Sequence, residues 1–515
     1  MSRTLPEVPY AMNKSKSEIV AMRGINFSDM LQDGDLAESK NVSARRWPYM
    51  ATRRARAKQN GYAGCVALTA WDKLVAVCGT SLYYDGTVIG TVSSALPKQF
   101  AVVNTKLVIW PDMKYLDLKL PSGLHDLGAK AEDSGAVFTA NSITIAWSGV
   151  DLTTLFRAGD GISVSGCTVE AGNNKSVIIK GVTATAITVA DNTFTAATET
   201  AKITLERKIP DIDFICESEN RLWGCSSTNQ TIYASALGDP TNFNVFQGSS
   251  TDSYAVAVGS EGNFTGCCRL SSSVLFWKQN KLHKMLGSYP AEYSLYSYDI
   301  EGLQEGCAKS LQVINETLFY MGAHGVYAYT GGTPSLISPN FGEKQFTEAI
   351  AGNDGDSYYL SVKDGNAYRL MVYETRNGIW VHEDDVRCVD FARIGKDMYF
   401  ADSNGDVYKE DKGTDDADIE WYAQFTPFYE TIQGRKIFSK LLIRMELPEK
   451  SYVVASVRQD GGPWRDIVRV VGKKNDVVPI RIPLTRCDKF ELKLSGKGPA
   501  TVLSILREYG VGSEV

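Results

Sequence analysis

The feature that most restricts the fold of this chain is a repeated unit: an apolar strand, a turn of Gly, Asn or Asp, and a second strand that often carries Tyr. Its anchors are Leu74, Leu107, Leu222, Leu275, Leu318, Tyr359 and Met398, and the intervals after Leu222 are 53, 43, 41 and 39 residues. A period of roughly 40–50 residues with several strands per unit marks a β-propeller blade. One such unit cannot bury its faces alone, so the copies must stack around an axis. Seven anchors predict six or seven blades, since ring closure can shift the count by one. The fullest copy runs from Asp213 to Phe243, a hairpin ended by Gly238-Asp239-Pro240. Gly tolerates positive φ and Pro lacks the N–H that a central strand needs.

One interval breaks the period. Leu107 and Leu222 are 115 residues apart, and between 131 and 207 the texture changes to Thr, Ser, Val and Ala with few aromatics. Setting that tract aside restores the blade spacing, which predicts a small β domain inserted at 131–207. The propeller then occupies 61–130 and 208–418. Residues 1–60 read as an N-terminal arm. From 419 to 515 about seven short strands, including Lys436–Glu446, Tyr452–Gln459, Asp466–Val471 and Val477–Ile482, predict a C-terminal β-sandwich. The expected class is all-β.

Composition agrees with an ordered, turn-rich β protein. The 515 residues are 43% hydrophobic, with 45 Gly and 25 Tyr but 17 Pro, too long for one core and too apolar for disorder. A formal net charge of −6 is mild and lacks the clustered basic footprint of a nucleic-acid binder. The ten Cys form no CxxC pair and sit in apolar runs, which reads as buried free thiols in a chain assembled in a reducing cytoplasm. No apolar run reaches the ~20 residues of a membrane span, and the N-terminus lacks a signal-peptide core.

The residues offer no recognisable catalytic, cofactor-binding or metal site. His125, His283, His324 and His382 fall in different units without neighbouring ligands and read as structural. Asp402, Asn404 and Asp406 alternate like a calcium loop, yet the same pattern makes a hairpin turn, and the distal bidentate Glu is missing. Asp384-Asp385 and Asp415-Asp416 read as solvated pairs in polar turns, and the many Tyr as cross-strand packing or sugar stacking. The chain is therefore expected not to be an enzyme. The tract Arg45, Arg46, Trp47, Tyr49, Arg53, Arg54, Arg56 and Lys58 has three readings: a solvated face, a docking surface for an acidic protein neighbour and, third, a nucleic-acid contact.

Three sets of short motifs carry a resemblance. They are Asp33-Gly34-Asp35-Leu36 with Asn41-Val42, Trp47-Pro48 and Thr52-Arg53; Asn220-Arg221-Leu222-Trp223 with Tyr233-Ala234-Ser235 and Asp239-Pro240; and Phe425-Thr426-Pro427-Phe428 before the terminal β domain. In this order they resemble the tail hub proteins, also called nozzle or stabilisation proteins, of short-tailed bacteriophages. The resemblance implies a structural protein of the virion tail, a homo-hexameric ring below the portal and adaptor. Such a ring retains and then conducts the genome without binding DNA specifically, and carries fibres or spikes. Two other classes stay open: a propeller adhesin or lectin for host glycans, and a propeller glycan hydrolase.

Overall fold

The computed structural model describes residues 14–430, 434–482 and 486–511. Seven four-stranded antiparallel sheets form a seven-bladed β-propeller arrangement. Blades 1 to 6 span residues 65–91, 99–126, 214–257, 264–298, 312–336 and 349–384. Blade 7 takes three strands from 388–409 and its fourth from Ala57–Gln59. All seven anchors fall on the second strand of their blade, and Leu74, the most exposed of them, is only 7% exposed. That strand is flanked by neighbours on both sides and covered on both faces, so it reads as a continuous apolar run. Every residue of Leu74–Cys78, Arg221–Ser226 and Ser273–Lys278 is buried.

The chain divides into two compact units: a central one of residues 66–323 and 329–334, and a terminal one holding the rest. In the central unit, alternate residues of a strand face opposite neighbours. Leu107 and Ile109 of blade 2 pack with Val75 and Val77 of blade 1, while Val108 and Trp110 pack with Ile215 and Leu222 of blade 3. Trp223 and Cys225, the next residues along, share a core with Phe264 and Phe276 of blade 4. A strand period of two thus builds each blade into two cores at once.

The inserted segment is opened and closed by the paired strands Ala129–Thr139 and Ala197–Arg207 of a seven-stranded sheet. It has its own core, including Phe138, Ile143, Trp147, Phe156 and Leu205. Fully buried Asp160 accepts from Arg207 (2.6 Å) and from Asn242 (3.0 Å), and Arg157 pairs with Asp239. Gly161 runs against the Asn244 carbonyl, where a Cβ would collide. The turn at Gly238-Asp239-Pro240 therefore does more than end a hairpin: it receives the insert.

The terminal unit corrects two expectations. Residues 14–52 are not an arm. Their strands Lys14–Ile19, Gly24–Ile25, Asp35–Lys40, Val42–Ser43 and Met50–Thr52 belong to an eleven-stranded sheet with the C-terminal strands. That sheet is one curled sheet in place of the two facing sheets of a sandwich. Its longest strand, Lys436–Gln459, joins two segments that the sequence presents as separate strands. The joint lies at 448–451, where the pairing with Arg465–Arg481 shifts register and Lys450 takes φ +69°. A bulge of this kind bends and twists a strand, which curls the sheet. Arg507, fully buried, ties its layers: it bonds Glu430 (2.5 Å), Asp33 (2.5 Å) and Ser17 (2.8 Å) and lies over the Phe428 ring.

The ten cysteines are free thiols, eight of them buried. Among the described residues no helix is long and apolar enough to cross a membrane. Because the insert has its own core, joining Lys130 to Ile209 through a short Gly/Ser linker is expected to leave one cooperative melting transition. The loss of the Asp160 and Arg157 contacts should cost about 1–3 kcal/mol. Calorimetry decides this: loss of the cooperative transition would mean that the insert is integral to the blades.

Candidate functional site

The site is built where the tract from Arg45 to Lys58 meets the ends of two blades. The last strand of blade 6, Ile379–Asp384, is buried along its whole length and ends in Glu383 and Asp384. The third strand of blade 7, Val407–Lys409, is followed by Glu410 and Asp411. Beside it, in register, lies Ala57–Gln59, with Lys58 opposite Tyr408. Arg56 immediately precedes this strand, so blade closure carries its guanidinium between the two acidic pairs.

Arg56, with a side chain 8% exposed, bonds Glu410 (2.7 Å), Asp384 and Glu383 (3.5 Å), and its guanidinium lies 4.9 Å from the Phe400 ring centre. Burial opposes its charge, but the three carboxylates outweigh that and hold its pKa well above the usual value. Arg45 pairs with Asp411 and donates to the Tyr359 hydroxyl (3.0 Å). Arg53 donates to Asn41 (2.6 Å) and to the Arg54 carbonyl (2.8 Å), with Asp384 at 3.9 Å. Burial and the neighbouring Arg56 lower its pKa. Three guanidiniums thus meet four carboxyl groups. The imbalance falls on Glu383, whose pKa is pushed up to about 8 by burial and then by Glu410, against the pull of Arg56 and Arg45. The second oxygen of Glu410 has no hydrogen-bond partner among the described residues.

Above this cluster opens a cleft of about 980 Å³. Lys40, Asn41, Arg53 and Arg56 form one wall, and Phe400, Asp402 and Tyr408 another. Asp415, Asp418, Glu420, Trp421, Tyr422, Tyr452, Asp466, Ser495 and Gly496 complete it. Tyr408 stacks on Phe400 (5.4 Å), and Arg469 lies 4.1 Å from the Tyr452 ring centre.

The residues of the basic tract therefore separate. Arg53 and Arg56 turn inward and are neutralised within the chain, which corrects their reading as a face for a neighbour, whereas Arg45 stays exposed while it pairs with Asp411. Arg46 pairs with Glu446 (2.6 Å) and Lys58 with Asp406 (2.5 Å), both at the surface. Trp47 and Tyr49 are 43% and 37% exposed, and Arg54 is exposed. Asp384 is not a solvated turn residue but 4% exposed. Asp385 pairs with Lys40 (3.0 Å) and His382 (3.2 Å), and Asp416 accepts from the Ala55 N–H (2.6 Å). At Asp402-Ser403-Asn404-Gly405-Asp406 the Asp402 carboxylate accepts the N–H groups of Asn404 and Asp406 (both 2.9 Å), which makes a hairpin turn. Gly405, at φ +78°, lies against Gly64, where no side chain fits. Among the described residues no three His, Cys, Asp or Glu are grouped to hold a metal. His283 bridges Ser260 and Ser297 (2.7 Å each), and burial pushes its pKa down to about 4.

No protein-family model matches the chain, and no curated protein matches it. Solved structures to which it is similar include an exo-beta-1,3-galactanase of Phanerochaete chrysosporium with galactose, at 9% identity and TM-score 0.22, covering 56% of this chain and 92% of that one. A variant of that enzyme with beta-1,3-galactotriose gives 8% identity and TM-score 0.23, covering 57% and 94%. The extracellular domain of a protein from B. thetaiotaomicron assigned to the one-component systems gives 9% and 0.22, covering 94% and 99%. Enzymes thus stand among the structures this chain is similar to, and the expectation that it is not an enzyme is withdrawn. At these identities and TM-scores no activity or site residue is carried over.

Two outcomes test the cluster. Arg56→Met leaves buried carboxylates without their cation and is expected to destabilise the chain by about 3–5 kcal/mol in urea unfolding; a loss below about 1 kcal/mol would contradict the assignment. The unfolded chain ionises Glu383 near 4.5 and the folded chain near 8, so the fold keeps a proton that the unfolded chain has lost between those values. The stability this proton brings is full below pH 4.5 and is lost as pH rises through 8. Melting from about pH 6 to about pH 9 should therefore show a decline that Glu383→Gln makes shallower. An unchanged slope would show that Glu383 does not hold the proton.

Proposed function

We propose that this chain is a structural protein of a bacteriophage tail, a hub or nozzle ring below the portal and adaptor. The observation that carries the reading is what its short motifs do. Asp33-Gly34-Asp35-Leu36 and Phe425-Thr426-Pro427-Phe428 lie nearly four hundred residues apart, yet Leu36 is in register with Phe425. The Asp35 carbonyl accepts the N–H of Thr426 (3.0 Å), and Asp33 pairs with Arg507. Within Asn220–Asp239, Arg221 is fully buried and caps the carbonyls of Ser235 (2.8 Å) and Ser250 (2.6 Å). The Asn220 carbonyl accepts the N–H of Gly238 (2.7 Å). Each motif holds the fold together. A part that conducts DNA under pressure needs that kind of cross-bracing between chain ends, and mild net acidity keeps DNA from sticking to it.

The docking surface then narrows to the outward members of the tract: Arg45, Arg46, Trp47, Tyr49, Arg54 and Lys58. A homo-hexamer would place this face against a neighbouring ring through heterologous contacts. Mass spectrometry of purified particles from cells carrying the gene is expected to find the chain in the virion, and Arg54→Glu with Tyr49→Ala should leave it folded while particles lose their genome. Absence of the chain from purified particles would overturn the proposal.

A further inference from the structure

The cleft above the charge cluster has a chemistry that the virion reading does not use. Its volume, about 980 Å³, lies at the upper end of the ~300–1,000 Å³ typical of ligand sites. Three tyrosine rings, Tyr408, Tyr422 and Tyr452, line it half-buried. Two have a neighbour against the ring: Phe400 stacks on Tyr408 at 5.4 Å, and the Arg469 guanidinium lies 4.1 Å from the Tyr452 ring centre. Rings fixed in this way lose little further freedom when a ligand stacks on them. Asp415 and Glu420 line the same cleft and are exposed, and no ion pair is seen for either among the described residues.

Two ligand classes suit tyrosine rings beside carboxylates: cations caged by aromatic faces, and polyhydroxylated sugars. The remaining groups choose between them. A cation needs acceptors only, whereas Lys40 and Ser495 also line this cleft and present donors. Trp421, 3% exposed, lines it as well and adds apolar surface. A cation cannot accept from Lys40 or Ser495; a sugar hydroxyl can accept and donate. The carbon-bound hydrogens of a pyranose face carry partial positive charge and lie well on the negative face of a Tyr ring.

We propose that this cleft binds a neutral oligosaccharide, stacked on the tyrosines and hydrogen-bonded to Asp415 and Glu420. The inference is independent of the virion reading, since binding is measured on the isolated full chain.

Maltotriose, beta-1,3-galactotriose, chitotriose and choline are titrated in turn by calorimetry. At least one trisaccharide is expected to bind one-to-one with a Kd of about 1 mM or tighter. Asp415→Asn, an exposed change, should weaken it about tenfold at unchanged melting temperature, and Tyr422→Ala should abolish it in a chain that still melts cooperatively. Choline should neither bind nor compete. Absence of binding by all three trisaccharides at about 10 mM would overturn the proposal. So would trisaccharide binding indifferent to both substitutions, or choline binding that Asp415→Asn removes.

Discussion

Blade 7 has three strands from its own stretch of chain and cannot be completed until Ala57–Gln59 returns to it from the other end of the sequence. Until then Val407–Lys409 is an open edge, the part of a sheet that most invites wrong pairing. Three residue pairs make a short ladder, so the strand is held from its flank by Arg56 and the three carboxyl groups around it. Buried ion pairs seldom add much net stability compared with apolar packing, but losing one member is severe. Their effect is to select: only this segment brings a guanidinium to the place where Glu383, Asp384 and Glu410 converge.

The rest of the terminal unit follows from the same return. Once Arg56 is fixed, the preceding residues must run back along the unit, and they do so as strands of the curled sheet. Asn41 links the two: its side chain donates to the Glu420 carbonyl (2.7 Å) and accepts from Arg53. Arg507 repeats the device at the far side, a buried guanidinium shared by Glu430 and Asp33. The cleft follows from this geometry, walled by the returning segment, by blade 7 and by later strands of the curled sheet.

Much of the fold was legible because second strands of blades are apolar on both faces. Leu222 and Trp223 face different neighbours, yet both must be buried, and such runs recur at the blade period. The insert was legible through the interval it breaks. The arm was misread for a reason equally physical. Short polar strands such as Ala57–Gln59 show no pattern of their own, and their partners lie some 350 residues away. Basic residues in sequence suggest a surface, and only the acidic pairs at 383–384 and 410–411, each at the end of a strand, hinted at internal partners. The bend at 448–451 likewise made one long strand look like two.

Hydrogen exchange across blade 7 addresses the account most directly. If closure by the N-terminal strand organises the terminal unit, the amides of 57–59 and of 397–409 should exchange together, with similar protection, as one cooperative unit. Arg56→Met should lower the protection of both segments in parallel. Rapid exchange at 57–59 beside a fully protected Asp397–Asp402 strand would contradict it, because blade 7 would then stand without the strand that is held to complete it.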